Sequence, residues 1–107
     1  MEQIDEKIRM NKLYDLYGCL LTDKQRSYYT YYYFDDYSLS EIAKIMDVSR
    51  NAVHEQIKNV TEILEYNENK LSLLAKKEKR LAILKQINPG LKKEELLDLF
   101  REMEKVE

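Results

Sequence analysis

The polar residues best suited to a binding role in this chain are clustered between positions 49 and 58. They recur at the spacing of one helix face: Arg50, Asn51, His54, Glu55 and Lys58. Three apolar residues recur at helical spacing on another side of the helix and would face the protein interior: Val53, Ile57 and Val60. A helix with this pattern buries one side and presents the other, and an exposed polar side of this kind can form hydrogen bonds with the edges of DNA bases.

This polar face belongs to a helix that follows another helix after a very short turn. Ser38 and Glu41 have the spacing of a capping box, which predicts the start of a helix. Residues 47–48 form the turn, and Ser49 is expected to cap the second helix. The stretch 39–58 therefore predicts a helix-turn-helix. Short capped helix pairs also occur in helical bundles that bind no nucleic acid.

Positively charged residues around this motif are candidates for contacts with DNA phosphates. Lys44 lies in the first helix of the motif, Lys58 in the second, and Arg26 in the helix before them. With Ser49 they complete the predicted DNA-binding set. Residues 22–69, however, carry five basic and nine acidic side chains, and this negative balance opposes binding to a polyanion.

The composition indicates an all-α protein of single-domain size. The chain has 107 residues, two glycines, one proline and no tryptophan, and 36% of its residues are charged. Sheet is not expected. Thr22 and Gln25 have the spacing of a capping box, as Ser38 and Glu41 do. Capping residues and apolar spacing together predict five helices: 4–20, 23–34, 39–46, 50–87 and 91–105.

The longest of these helices is expected to extend well beyond the helix-turn-helix. Its apolar residues recur at alternating spacings of four and three residues, a four-three rhythm typical of a coiled coil. No glycine or proline interrupts residues 50–87 before Pro89. Asn67 and Glu78 are polar positions in this rhythm. We therefore divide the chain into a helical domain at 1–65 and an extension at 66–107, which ends in an amphipathic helix.

Tyrosines are unusually dense between residues 28 and 37, where the sequence is YYTYYYFDDY. Helical spacing predicts that some of the rings fill the core beneath the helix-turn-helix, whereas Tyr31 and its neighbours reach the surface. Exposed tyrosines suit base stacking or a protein interface, and a tyrosine-rich core explains the same composition.

The sequence shows no arrangement of residues typical of an enzyme, a cofactor site or a metal site. The one histidine, His54, and the one cysteine, Cys19, are 35 residues apart, and no glycine-rich phosphate loop is present. Cys19 lies among apolar residues and is expected to be a buried, reduced thiol. No apolar run approaches the roughly 20 residues of a membrane span. These observations predict a cytoplasmic, non-enzymatic protein without a membrane partner.

Three short segments resemble region 4 of bacterial sigma factors, the helix-turn-helix that reads the −35 promoter element. They are LTDKQR at 21–26, SLSEIA at 38–43 and VSR at 48–50. The resemblance implies four base-facing positions: Arg50, Asn51, His54 and Glu55. Asp47 stands where the usual turn residue is glycine, Gln56 stands where the usual residue is apolar, and most basic residues of the sigma helix are missing.

A second resemblance covers most of the chain. Residues 11–58 and the long charged helix after them are similar to the YlxM-like family of small bacterial helix-turn-helix proteins. That resemblance implies a regulatory DNA-binding protein linked to the signal recognition particle pathway through the neighbourhood of its genes. The alternative is an adaptor that keeps the helix-turn-helix shape without specific DNA binding and contacts transcription or signal recognition particle components.

Apolar residues in the C-terminal part of the chain predict a homodimer. Four leucines of the long helix lie beyond the reach of a compact helical head: Leu71, Leu74, Leu81 and Leu84. At about 25 cal/mol per Å², covering them would contribute several kcal/mol. A second chain could cover them, or the final helix of the same chain could fold back over them. Residues 70–93 also carry eight basic and one acidic side chain, which suits nucleic acid or the acidic tail at 94–107.

Overall fold

The structure is a computed structural model that describes residues 2–106, with side chains from residue 4 onward. Its α-helices are α1 (Glu2–Tyr17), α2 (Asp23–Tyr29), α3 (Leu39–Met46), α4 (Arg50–Leu71), α5 (Leu73–Leu84) and α6 (Lys93–Glu104). No strand occurs within residues 2–106, so the predicted all-α fold is confirmed. The chain divides into two compact units that meet between Leu71 and Ser72, a few residues after the boundary expected from the sequence.

Both predicted capping boxes are present. The backbone amide of Gln25 donates to the Thr22 hydroxyl at 3.1 Å, and the Thr22 amide donates to the Gln25 side chain at 2.8 Å. Ser38 and Glu41 form the same reciprocal pair, with both distances 3.1 Å. These bonds satisfy amides that a helix start leaves without a backbone partner, and they fix the starts of α2 and α3.

The first unit is built around α4, which packs against α1, α2 and α3. Its most deeply buried side chains come from all four helices: Leu13, Tyr17, Tyr28, Tyr29, Ile42, Val53, Val60 and Leu64. Four short or medium helices thereby share one core. The arrangement holds the helix-turn-helix of α3 and α4 against a fixed support.

The first predicted helix, over 4–20, is shorter than expected. It ends at Tyr17, and Gly18–Leu20 form a 3₁₀ turn. A Cβ atom at Gly18 would lie 3.0 Å from the Tyr14 ring, so only glycine fits this close approach without a shift of the ring. Cys19 in the turn is exposed, which corrects the expectation of a buried thiol: its apolar sequence neighbours do not cover it.

The predicted helix over 23–34 changes its geometry halfway. α2 ends at Tyr29, and Thr30–Phe34 form a π-helical turn in which the Asp35 amide donates to the Thr30 carbonyl at 2.9 Å. A π turn contains one more residue than an α turn, so it rotates the tyrosines after it relative to those before it. Tyr29 consequently stacks on Tyr33 at 4.5 Å and also contacts the Phe34 ring edge at 5.5 Å.

The helix predicted over 50–87 is not continuous. α4 ends at Leu71, and Ser72 adopts the left-handed conformation with φ 54° and ψ 30° before α5 begins at Leu73. The Ser72 carbonyl then accepts the Lys76 amide at 2.9 Å. A single left-handed residue thus ends one helix and starts another, and this break is not predictable from the sequence because neither glycine nor proline marks the site.

The second unit contains α5 and α6, which pack against each other. Its buried apolar side chains are Leu74, Ile83 and Leu99. Leu74 is therefore covered within its own chain, which is one of the two alternatives that the sequence left open for these leucines. α5 ends at Leu84, three residues before the end expected from the sequence, and residues 88–90 form a turn in which the Gly90 amide donates to the Asn88 side chain at 2.8 Å and the Leu91 amide to the Asn88 carbonyl at 3.1 Å.

Candidate nucleic-acid interface

The turn between α3 and α4 depends on Asp47. This residue is left-handed, with φ 54° and ψ 50°, and its amide donates to the Ala43 carbonyl. The Val48 amide donates to the same carbonyl at 3.0 Å. Aspartate tolerates the left-handed region better than most residues other than glycine, so the turn forms although the usual glycine is missing.

Ser49 caps α4 as predicted. Its hydroxyl accepts the Ala52 amide at 3.1 Å, and its carbonyl accepts the Val53 amide at 3.1 Å. The remaining amides of the first turn point outward along the helix axis, where the helix dipole favours a negatively charged group. The start of α4 is therefore suited to approach a phosphate.

The two faces of α4 differ sharply in exposure. Val53 is 0% exposed, Val60 is 1% exposed and Ile57 is 8% exposed, so all three pack into the core. The predicted base-facing residues lie on the accessible side, together with Lys58: Arg50, Asn51, His54 and Glu55. The structure thus brings five of the eight predicted site residues onto one exposed helix face, directly after the Ser49 cap.

The charges on this face are of both signs. His54 Nδ1 lies 3.8 Å from Glu55 Oε1, and both side chains are largely exposed. Among the ion pairs found in the described part of the chain, none involves Arg50, Lys58 or Lys44. Lys44 is exposed on α3, the first helix of the motif. The cations of the motif are therefore accessible to an anionic ligand.

Arg26 differs from the other predicted site residues because its guanidinium is already bound within the chain. It donates to the Leu21 carbonyl at 3.2 Å and forms an ion pair with Asp23. Arg26 lies on α2, which packs against α4, but it is outside the helix-turn-helix itself. Its observed contacts stabilise the start of α2.

Three of the six tyrosines in residues 28–37 form core structure. Tyr28, Tyr29 and Tyr33 are buried, and Tyr29 stacks on Tyr14 with ring centroids 4.3 Å apart. The Tyr29 hydroxyl donates to Asn11 Oδ1 at 2.6 Å. Burial raises the pKa of Tyr33 to about 12 and raises the pKa of Tyr29 further, because the charged phenolate would lose its hydration. Tyr31 is half-buried rather than exposed.

The structure also has a pocket that was not predicted from the sequence. Residues from α1 and from the segment after the π turn line a pocket of about 370 Å³: Glu6, Lys7, Tyr32, Tyr33, Asp36 and Tyr37. Only folding brings these two segments together, and no local spacing signals a pairing between residues almost 30 positions apart. The high density of tyrosines in residues 28–37 was the one feature of the sequence that pointed to a binding surface in this region.

The described residues contain no group of three or more histidine, cysteine, aspartate or glutamate side chains arranged to hold a metal ion. Among these same residues, no helix has the length and apolar character needed to cross a membrane.

Comparison with known proteins gives one consistent result. A family model described as "Putative helix-turn-helix protein, YlxM / p13 like" matches residues 4–104. A UPF0122 protein of Halalkalibacterium halodurans is 49% identical over 108 residues, covering 97% of this chain and 99% of the relative. A UPF0122 protein of a Geobacillus species is 44% identical over 109 residues, with 97% and 99% coverage. One of Listeria innocua is 48% identical over 90 residues, with 84% and 82% coverage.

Proposed function

This chain belongs to the YlxM/p13-like family of helix-turn-helix proteins, and from that membership we propose that it is a regulatory DNA-binding protein. The observation that carries the proposal is the accessible polar face at the start of α4, which follows directly on a capped turn. A recognition helix contacts base edges with residues near its N-terminus. The accessible face lies at that end of α4.

We assign the individual roles by chemistry. Arg50, Asn51 and His54 read base edges, because their side chains offer paired or directional hydrogen-bonding groups. Glu55 lies on the same face and can accept from a cytosine amino group. The other members of the set contact phosphates or the backbone beside them: Ser49, Lys58, Lys44 and Arg26. Of these, Arg26 must exchange its contact with Asp23 for a phosphate, so its contribution is the smallest.

Genomic pull-down followed by sequencing tests this function. A DNA regulator enriches fragments that share a short common sequence, and Arg50→Ala reduces that enrichment because one of the base contacts is lost. Arg101→Ala is the matched control, since it removes an exposed arginine of α6 outside the motif. Equal recovery of all sequences by the unmodified chain would contradict the proposal.

The alternative function is that of a protein-interaction adaptor, and the charge balance favours it. Residues 22–69 carry nine acidic side chains against five basic ones, so phosphate binding is opposed by the surroundings of α4. An adaptor would use the same helix face or the tyrosines to contact transcription or signal recognition particle components in the cytoplasm. Failure of the pull-down to enrich any common sequence supports this alternative.

We also propose that the protein is a homodimer formed through α5 and α6. Apolar side chains remain exposed on both helices even though the helices pack against each other: Leu81, Leu84, Leu97 and Phe100, each more than 40% exposed. Exposed apolar residues on neighbouring helices favour association with a second apolar surface. A two-fold dimer would also bring two recognition helices into one complex, as DNA sites made of two half-sites require.

A further inference from the structure

We propose that the tyrosine-lined pocket binds an arginine side chain of a partner protein. The pocket lies between α1 and the segment that follows the π turn, and its volume of about 370 Å³ is in the range of small-ligand sites. Its six lining residues are three tyrosines, two carboxylates and one lysine, which are Tyr32, Tyr33, Tyr37, Glu6, Asp36 and Lys7. This site is separate from the face of α4 and does not depend on the proposed function.

The aromatic walls of the pocket are fixed in position. The rings of Tyr32 and Tyr33 meet edge to face, with centroids 5.0 Å apart and planes at 87°. Tyr37 stacks on Tyr31 at 5.7 Å. Tyr33 is anchored by its stacking on Tyr29, whereas Tyr32 and Tyr37 are each 37% exposed. Part of two aromatic rings therefore remains accessible to a ligand, and neighbouring rings restrict their movement.

The charges around these rings favour a cation. Glu6 and Tyr33 both line the pocket, so a carboxylate and an aromatic ring border the same cavity. Asp36 accepts a hydrogen bond from Lys7 Nζ at 3.0 Å, which leaves the charge of Glu6 without an equivalent partner among the lining residues. Two carboxylates and one ammonium give a net negative site. Such a site repels phosphate, which argues against base stacking by these tyrosines.

Arginine is the cation that fits this combination best. Its planar guanidinium stacks on an aromatic face and can donate two parallel hydrogen bonds to one carboxylate. Lysine carries a compact charge that is more strongly hydrated and cannot form that paired contact. The pocket is lined by tyrosine rings and by the carboxylate of Glu6, so it offers both kinds of group that a guanidinium contacts.

Binding of a labelled peptide of alternating arginine and glycine to the full chain tests the proposal. We expect saturable binding that weakens about tenfold in Glu6→Gln and in Tyr37→Ala, because each removes one of the two contacts. Tyr37→Phe keeps the ring and is expected to retain binding. A matched peptide of lysine and glycine should bind several-fold more weakly.

Two control variants distinguish binding of the peptide in the pocket from non-specific attraction between the basic peptide and acidic side chains elsewhere. Glu102→Gln removes an exposed carboxylate of α6, and Tyr66→Ala removes a tyrosine of α4 that is 62% exposed. Neither residue lines the pocket, so binding should be unchanged. Equal weakening by Glu102→Gln and Glu6→Gln, or equal binding of the two peptides, would overturn the proposal.

The pocket variants Glu6→Gln and Tyr37→Ala also distinguish two possible occupants of the pocket, a partner protein and a second copy of this chain. If Glu6→Gln and Tyr37→Ala abolish self-association while the unmodified chain binds no arginine peptide, the pocket is a contact between copies and the proposal is wrong. Glu6→Gln changes an exposed side chain, so its effect on folding should be small and thermal unfolding followed by circular dichroism verifies this.

Discussion

Two buried tyrosines give the first unit a dependence on alkaline pH. Burial raises the pKa of Tyr33 to about 12 and that of Tyr29 higher still, whereas a tyrosine of the unfolded chain loses its proton near pH 10. Above pH 10 the unfolded chain therefore binds fewer protons than the folded chain. Stability from these groups is complete below pH 10 and is lost as the pH rises through 12.

We predict that the free energy of unfolding falls between about pH 10 and pH 12, and that Tyr33→Phe makes this fall less steep. Phenylalanine keeps the ring but cannot ionise, so it removes one of the two raised pKa values. Urea unfolding at stepped pH, followed by circular dichroism, measures the slope. Tyr66→Phe changes an exposed tyrosine and serves as the control; an identical slope in the unmodified chain and in Tyr33→Phe would contradict the account.

The roles of residues that hydrogen-bond to close sequence neighbours could be predicted from the sequence. The roles of residues that depend on contacts between distant parts of the chain could not. The hydroxyls of Thr22, Ser38 and Ser49 each accept an amide three positions away, so their spacing alone identified them. The exposure of Cys19 depends on how the chain turns after Tyr17, which no local pattern encodes. The pocket around Glu6 depends on a long-range contact in the same way.

At the scale of elements, the break between α4 and α5 is the largest departure from the sequence expectation. The four-three rhythm of apolar residue types continues through it, and Leu71 and Leu81 keep that rhythm although each is more than 40% exposed. The periodicity of residue types is insensitive to one residue with a different backbone angle. The left-handed conformation of Ser72 is therefore visible only in the structure.

Substitutions at Ser72 test this break. A residue other than glycine loses about 1 kcal/mol in the left-handed region, so we predict that Ser72→Gly raises the free energy of unfolding by up to that amount. Ser72→Ala should give no gain. An uninterrupted helix predicts the opposite order, because alanine favours a helix interior over serine and glycine disfavours it.

Chemical denaturation of the variants distinguishes the two cases. Ala82→Gly, within α5, is the control for glycine in an ordinary helical position and should lower the free energy of unfolding by about 1 kcal/mol. If Ser72→Gly behaves like Ala82→Gly, the chain is helical at residue 72 and the two-helix description is wrong.

At the scale of the whole molecule, charge and apolar surface are distributed unequally along the chain. Residues 70–93 carry eight basic and one acidic side chain, whereas residues 22–69 are acidic overall. The unequal distribution of charge can be read directly from the sequence, and the residue composition predicted the all-α fold. It did not predict that Leu74 and Leu99 would be buried within the second unit, because burial depends on the packing of α5 against α6.

We predict that the chain sediments as a dimer at micromolar concentration and that Leu81→Asp combined with Phe100→Asp converts it to a monomer. Each substitution replaces an apolar side chain that is more than 40% exposed by a charged one. The charge makes the free energy of association less favourable because it would lose its hydration when another chain covers the surface. Leu20→Asp is the control, because Leu20 is 58% exposed in the first unit. A monomer mass for the unmodified chain would contradict the dimer, and an unchanged dimer in the double variant would contradict this interface.

The central claim is that the start of α4 reads DNA sequence, and selection of duplexes from a random library by the purified chain tests it most directly. We predict that the selected duplexes share a short sequence and that Arg50→Ala weakens binding to them by about 5-fold to 150-fold while relaxing the preference at one position. Lys58→Ala should weaken binding to every duplex alike. Duplexes without a common sequence, or identical effects of the two variants on all duplexes, would contradict the claim.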